Sequence, residues 1–392
     1  MKVLLGISSS IAAFKSIDIL RYLLKEGIEV QCIMTRNSVN LISPLTLEIL
    51  SGKKVIIDLF EKGERGEIVH IEITKEVDLL LVAPATANII AKFANGIADD
   101  ALSTIFLASR SPVLIAPAMH TQMFLHPTTQ RNIEKLKSIG VEFIGPYEGG
   151  LASGERGIGR MAEPEEIVEK AVRMITKKTL KGKRFLVTAG PTYEKIDPVR
   201  IITNPSSGKM GYALAEELLR RGGEVILVSG PTHLQPPFGV EILKVESTEE
   251  MKNEVMKNLE RVDAVIMAGA PADFRPKISL SQKAKKESIK YLELERTPDI
   301  LEEIKERKGK RLVVGFSAET SDLEENAKKK MISKGMDIVV ANDVSKRDIG
   351  FGSDFNEVII MDRKGNRIFT EMKSKKEIAK IIVDFIERKL FS

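Results

Sequence analysis

Residues 2–13 read Lys2-Val3-Leu4-Leu5-Gly6-Ile7-Ser8-Ser9-Ser10-Ile11-Ala12-Ala13. Lys2–Leu5 is a short apolar run with the length of a strand, and Ile11–Lys25 has the spacing of an amphipathic helix. A strand that turns directly into a helix is the opening of a βαβ unit. Working outward, Glu29–Met34, Val77–Val82 and Val113–Ala116 predict further strands, and Thr86–Phe93, Asp99–Ser109, Thr128–Ile139 and Glu165–Thr176 predict helices. Such alternation argues for a parallel sheet flanked by helices. Glu148–Met161 carries five glycines and no periodicity, and reads as a long loop of the kind that covers a site.

The rhythm then stops and restarts. Residues 177–183 are basic and nearly without apolar content, and read as a linker. Arg184–Val187 mirrors the opening strand, Gly211–Arg221 is a helix, and Glu224–Val228, Asp263–Met267, Leu312–Gly315 and Asp337–Val340 are strands. Glu357–Met361 and Asn366–Thr370 predict a hairpin turning at Lys364-Gly365-Asn366, closed by a helix over Lys375–Arg388. The expected fold is α/β, with two doubly wound domains over 1–176 and 184–392.

At 392 residues the chain exceeds one ordinary core, and 43% apolar residues suit a globular protein. No apolar run nears the roughly 20 residues that span a bilayer, so no membrane is expected. Met1-Lys2 followed by Val3-Leu4-Leu5 does not read as a secretory signal. Cys32 is the single cysteine, which excludes an internal disulfide framework and favours the cytoplasm. A net charge of +5, with Lys and Glu interleaved as in Glu302–Lys308, reads as a solvated surface. Anionic small molecules are therefore favoured as ligands, and nucleic acid is not.

The turn Gly6–Ser10 suits an anion facing free helix N–H groups, or a plain serine cap. It lacks the second and third glycines of the dinucleotide fingerprint. Ala83-Pro84-Ala85-Thr86 also leads from strand to helix, so two such loops would meet at the carboxyl edge of one sheet, where open α/β sheets bind ligands. The series GISSSIAAFK (6–15), HIEI (70–73), APATANIIAKFANGIADDALST (83–104) and PAM (117–119) resembles the flavin-binding cysteine decarboxylases. In order and spacing it is similar to phosphopantothenoylcysteine decarboxylase. The resemblance implies a Rossmann-like flavoprotein domain in which Gly6, Ser8, Ser10, Ile11, Thr35, Thr86 and Ser103 line FMN, with Ser10 and Ser103 near its phosphate. It makes His70 the active-site base. The implied chemistry oxidises the cysteinyl thiol of 4'-phosphopantothenoylcysteine, releases CO2, and returns the enethiolate to a thiol. Two positions depart from the family. His120, in the substrate-binding run that ends at Met123, stands where the family holds the substrate carboxylate with asparagine. Ser153 stands where a cysteine assists the reductive step, and a hydroxyl is a far weaker acid than a thiol of pKa ~8.5. The alternative for this half is a non-catalytic flavin-binding regulatory domain.

In the second half, Ser207-Gly208-Lys209 looks like part of a P-loop, but Thr203 and Met210 occupy positions where that motif needs glycine and Ser/Thr. What remains is an anion site or a serine-capped helix. The series AGPT (189–192), DPVR (197–200), SSGKMG (206–211), ADFRP (272–276), K-x-KK (283–286), GF-x-AET (315–320), ANDVS (341–345) and FGSD (351–354) resembles phosphopantothenate–cysteine ligase. The resemblance implies a Rossmann-like ligase domain with a β-hairpin, which activates 4'-phosphopantothenate with CTP as an acyl-cytidylate and passes the acyl group to cysteine. Lys283, Lys285 or Lys286 would neutralise the phosphates together with Mg2+ near Asp273. Asn204 and Arg200 would hold the intermediate, Ser207 and Gly208 would form the anion loop, and Ala270 and Phe316 would surround the base. The product of this half is the substrate of the other. A homo-oligomer is implied, through trimeric flavin domains and dimeric ligase domains.

Overall fold

The computed structural model describes residues 1–59, 73–285, 291–319, 321–343, 345 and 352–391. The chain divides into two compact units, Met1–Thr176 and Lys177–Ser392. Residues 177–183 belong physically to the second. Leu180 is buried there and its N–H donates to Arg221 O at 3.0 Å, while Lys178 Nζ donates to Arg220 O at 2.8 Å.

The first unit is a parallel sheet of β1 (Lys2–Ile7), β2 (Glu29–Met34), β3 (Leu79–Ala85), β4 (Val113–Pro117) and β5 (Glu142–Phe143), in the order β2-β1-β3-β4-β5. This is the flavodoxin-type doubly wound order, in which the chain leaves β1 toward one side and returns on the other. The strand period of two sorts the apolar residues onto opposite faces. Val3, Leu5 and Ile7 join the core under helices Lys15–Lys25 and Pro164–Ile175, whereas Leu4 joins the one under Ala87–Asn95, Ala101–Ala108 and Pro127–Ser138. Each such fully buried aliphatic side chain contributes roughly 1.5–3 kcal/mol.

One expected element is different. Residues 148–161 are not a loop: β6 (Tyr147–Gly150) and β7 (Arg156–Arg160) pair antiparallel around a turn at Leu151–Glu155. Glycines erase the alternation by which a strand is read, and here they serve close approach. A Cβ on Gly157 would lie 2.4 Å from Thr121 Oγ1, and one on Gly159 would lie 2.1 Å from Met119 O. The hairpin therefore seats on the segment that follows β4.

In the second unit, β8 (Arg184–Ala189), β11 (Glu224–Ser229), β12 (Glu241–Lys244), β13 (Ala264–Met267), β16 (Leu312–Glu319), β17 (Ile338–Asp343), β19 (Val358–Asp362) and β20 (Arg367–Phe369) form one sheet. Its order is β12-β11-β8-β13-β16-β17-β19-β20, and the short strands β9 (Glu194–Lys195), β10 (Ile201–Ile202), β14 (Phe274–Pro276), β15 (Leu294–Arg296) and β18 (Phe355–Asn356) lie outside it. The first six strands are parallel in the Rossmann order, and β19 and β20 add the expected antiparallel hairpin. Helices Lys209–Arg220 and Lys375–Leu390 cover one face, and Thr248–Asn258, Ile300–Arg307 and Leu323–Ser333 cover the other. Gly211 lets the helix Lys209–Arg220 lie directly on β8, since a Cβ there would sit 2.6 Å from Ala189 Cβ and 2.8 Å from Thr188 O. Gly211→Ala is expected to destabilise the second unit by roughly 1–3 kcal/mol through this overlap, measured as a lower urea midpoint at unchanged m-value.

Candidate functional site

In the first unit, the carboxyl ends of β1, β2, β3 and β4 converge. Ser8 is buried between two of them: its hydroxyl donates to Pro84 O at 2.9 Å and accepts the Thr86 N–H at 3.0 Å. Ser10 caps the short turn Ile11–Phe14, and Ile11 itself is exposed. Thr86 caps the helix Ala87–Asn95, accepting from the Ile89 N–H at 3.4 Å. Thr35 is tied to β1 by its N–H, which donates to Ile7 O at 3.0 Å. Its Oγ1 is buried and has no hydrogen-bond partner among the described residues. An orphaned hydroxyl in a water-poor position costs about 1–3 kcal/mol, and a polar ligand group would relieve that cost. Thr121 Oγ1, beneath the hairpin, is orphaned in the same way and was not singled out from the sequence.

Two of the expected flavin contacts also have uses within the protein. Gly6 is buried within β1 and faces Leu102, whose Cδ1 would lie 2.5 Å from an added Cβ; its role is packing beneath the site. Ser103 is fully buried in a capping box, donating its hydroxyl to Asp100 O at 3.1 Å and accepting the Asp100 N–H at 3.2 Å. Its O–H is donated within its own helix turn.

His120 Nε2 lies 2.8 Å from Glu155 Oε2, and its Nδ1 accepts the Gln122 N–H at 3.3 Å. Because Nδ1 accepts, the ring carries its proton on Nε2 and donates it to the Glu155 carboxylate. This pair joins the turn of the β6–β7 hairpin to the segment after β4. Met123, in the short helix Thr121–Leu125, and Ser153, in the hairpin turn, are both exposed. Cys32 is buried on β2, which pushes its thiol up to about 12 and leaves it unsuited to replace the missing cysteine. His70 lies outside the described residues.

The second unit carries a cavity of about 810 Å³ at the carboxyl ends of β13, β16 and β17. Asn204, Ser207, Gly208, Ala270, Asp273 and Phe316 from the sequence reading all line it. Asn204 Nδ2 donates to Pro271 O at 2.9 Å and Ala270 O at 3.3 Å, which fixes the loop after β13 against the anion loop. Thr188 Oγ1, at the end of β8, accepts the Gly269 N–H at 2.9 Å.

Three other expected residues do not line this cavity. Arg200 is spent on structure: its Nη1 donates to Asp197 Oδ2 at 2.8 Å and to Ala284 O at 3.2 Å. That clamp, with the Ala284 N–H donating to Asp197 at 3.2 Å, buries Ala284 and leaves its neighbours Lys283 and Lys285 exposed. Lys286 lies outside the described residues. The lining cations are instead Lys209, Arg296, Lys330, Lys334 and Lys375. Lys330 Nζ donates to Phe316 O at 3.5 Å, and Lys334 pairs with Asp299 at 2.5 Å. Burial alone would raise the Asp299 carboxyl, but Lys334 and the Glu302 N–H outweigh it and hold it below the usual range. Their one sequence signal was the four-residue spacing of Lys330 and Lys334, which places both on one side of a helix.

A flavoprotein family profile matches residues 1–176, and the profile of the DNA/pantothenate metabolism flavoprotein C-terminal domain matches residues 180–390. The coenzyme A biosynthesis bifunctional protein CoaBC of Bacillus subtilis is 45% identical over 96% of this chain and 94% of its own length. The chain belongs to this bifunctional coenzyme A biosynthesis family. The CoaBC protein of Vibrio cholerae is 41% identical over 99% of this chain and 98% of its own length. A crystal structure of the C-terminal domain of a CoaBC protein is 45% identical, covers 55% of this chain and 98% of that chain, and superposes with a TM-score of 0.48. The chain is thus a two-domain enzyme, a flavoprotein decarboxylase joined to a ligase. No described helix is long and apolar enough to cross a membrane.

Two outcomes follow from the buried groups. Cys32 is expected to resist alkylation by iodoacetamide at pH 8 in the folded protein and to react fully in urea, read by intact mass. Lys375 is buried to 8% exposure, and this burial, with the charge of Lys209 against the attraction of Asp354, pushes its ammonium from 10.5 down to about 8. Below about 8 both folded and unfolded chains are protonated, and the folded one bears the whole penalty; above 10.5 neither is charged. Between those values the unfolded chain binds more protons, so stability rises with pH. Lys375→Met should remove this rise in the urea midpoint of the second unit.

Proposed function

We propose that the second domain joins 4'-phosphopantothenate to cysteine, and that the first converts the resulting 4'-phosphopantothenoylcysteine to 4'-phosphopantetheine. The observation that carries the reading is the lysine-lined cavity at the carboxyl edge of a Rossmann-order sheet, suited to a nucleotide and a phosphorylated acid together. The substrate carboxylate displaces pyrophosphate from CTP to form the acyl-cytidylate, and the amine of cysteine then displaces CMP to form the amide. Lys330 and Lys334 offset phosphate charge, Phe316 and the backbone near Ala270 receive the base, and Asn204 holds the acyl intermediate. Among the described residues no three His, Cys, Asp or Glu side chains converge as a metal cage. Mg2+ would therefore be held by Asp273, nucleotide phosphates and water, its usual mixed shell.

FMN fits the first domain. The crevice lies at the β1/β3 switch point, with the orphaned Thr35 hydroxyl, the Ser10 cap and the Thr86 cap around it. When bound, FMN supplies the two-electron chemistry that no side chain here can provide. His70 removes the thiol proton, and His120 and Met123 orient the substrate carboxylate end. Ser153, exposed in the hairpin turn, lies within reach of bulk water as a proton source. Assembly into a homo-oligomer belongs to the same reading, supported by exposed Ile11, Phe14, Leu45 and Ile49 in the flavoprotein unit and Val199, Ile201 and Phe274 in the ligase unit. So does a cytoplasmic setting, supported by one buried, unbridged thiol.

The deciding experiment gives purified protein synthetic 4'-phosphopantothenoylcysteine without oxygen and follows CO2 and product mass. Fully reduced 4'-phosphopantetheine is expected from the wild type. His70→Asn should retain flavin absorbance and lose CO2 release by about 100-fold or more, the scale of a lost general base. Normal CO2 release from that variant would overturn the role of His70, and none from flavin-loaded wild type would overturn the decarboxylase reading.

A further inference from the structure

The loop Gly269–Asp273, after β13, forms one wall of the ligase cavity. Besides its bonds to Thr188 and Asn204, the Ala270 N–H donates to Gly190 O at 2.9 Å and the Thr297 N–H donates to Asp273 O at 3.1 Å. Ala272, the buried residue before Asp273, is held on both sides. Its N–H donates to Thr192 Oγ1 at 2.9 Å. Its carbonyl accepts from Thr297 Oγ1 at 2.6 Å and from Thr248 Oγ1 at 3.4 Å.

Thr192 and Thr248 are both buried, and their hydroxyl oxygens lie 2.8 Å apart. Buried hydroxyl donors take acceptors, and one direction satisfies both of them here. Thr192 accepts the Ala272 N–H and donates to Thr248, which donates in turn to Ala272 O. Two hydroxyls thus close a ring across the N–H and C=O of one residue, and such chains of hydrogen bonds strengthen one another. The ring is anchored on both flanks. Thr192 belongs to the segment leaving β8, while Thr248 opens the helix Thr248–Asn258, and its N–H donates to Glu194 Oε1 at 2.8 Å. What the ring holds in place is the wall that carries Asp273.

We infer that Thr192, through its ring with Thr248, is a positioning residue of the ligase: it fixes Ala272, and with it Asp273, for the nucleotide phosphates and their Mg2+. The inference rests on the ligase reading and extends it to residues behind the cavity wall. Neither threonine lines the cavity, so the effect reaches the ligand only through the loop. A first layer of ligand contacts binds best when the groups behind it are locked, because less ordering is left to the moment of binding.

The test compares Thr192→Val, which keeps the side-chain shape and loses the hydroxyl, with Thr192→Ser, which keeps the hydroxyl. With 4'-phosphopantothenate, cysteine and CTP, Thr192→Val should raise the KM for CTP about 10-fold, the scale of one lost hydrogen bond. The Mg2+ concentration that gives half the full rate should rise with it, while the KM for cysteine stays unchanged. Thr192→Ser should restore both values. Thr248→Val, which opens the ring and leaves the Ala272 N–H bonded, should act in the same direction by a smaller factor. In an Asp273→Asn background Thr192→Val should add less than about twofold, because the residue it positions is already disabled. An unchanged KM for CTP in folded Thr192→Val, or an equal effect with and without Asp273, would overturn the inference. Should Thr192→Val not fold, the same cycle on Thr248→Val decides it. Calorimetry of CTP with Mg2+ reads the site without turnover, and the Kd should weaken from wild type to Thr248→Val to Thr192→Val. If the wild type binds CTP and forms no amide, the ligase reading fails, while equal Kd values in the three proteins would overturn the positioning role. A wild type that binds no CTP would overturn both.

Discussion

One hydrogen bond recurs at the centre of each domain. In the first, the Ser8 hydroxyl after β1 accepts the Thr86 N–H after β3 at 3.0 Å; in the second, Thr188 on β8 accepts the Gly269 N–H after β13 at 2.9 Å. Both span the point where the chain, having wound outward on one side of the sheet, returns to build the other. Right-handed crossovers leave that junction without a covering helix, so its backbone groups need partners from within the loops. A short hydroxyl side chain meets one of those needs and still leaves room above it. The crevice and its ligand loops depend on these two contacts in both units. Ser8 adds a donated bond to Pro84 O, and in the second unit the Ala270 N–H adds one to Gly190 O at 2.9 Å.

Strands and helices were legible in the sequence wherever side chains carry a period. Val3, Leu4 and Leu5 alternate between two cores, and the segments at 185–187, 225–228 and 264–267 are continuous apolar runs buried on both faces. The β6–β7 hairpin was not legible, because glycine has no side chain with which to report a face. The same glycines admit Thr121 and the Met119 carbonyl at distances that any other residue would forbid.

The sites divide along a similar line. Asn204, Gly208, Ala270 and Asp273, singled out by the ligase resemblance and by their place in loops at strand ends, line the cavity. Ser103 and Gly6 lie beside the first crevice, where capping and packing also employ them, and neither use can be read without knowing what lies across the gap. Lysines are harder still. Lys330, Lys334 and Lys375 sit in helical segments rich in charge, and a lysine facing solvent has the same sequence appearance as one facing a cavity. Only tertiary placement distinguishes Lys375 from exposed Lys283.

The His120–Glu155 pair shows how a departure from the family pattern can remain compatible with turnover. The imidazole offers an Nε2–H where the family has an amide, and in the structure a protein carboxylate already accepts it. Both side chains are substantially exposed, at 37% and 65%, so the pair contributes only about 0–1 kcal/mol. A competing carboxylate can therefore take the place of Glu155 at small cost, and the displaced Glu155 returns to water. The same exchange would release the turn at Leu151–Glu155 from the segment after β4. In this arrangement the weakness of the surface pair is what permits the ligand to compete, whereas a buried pair would have locked the hairpin in place.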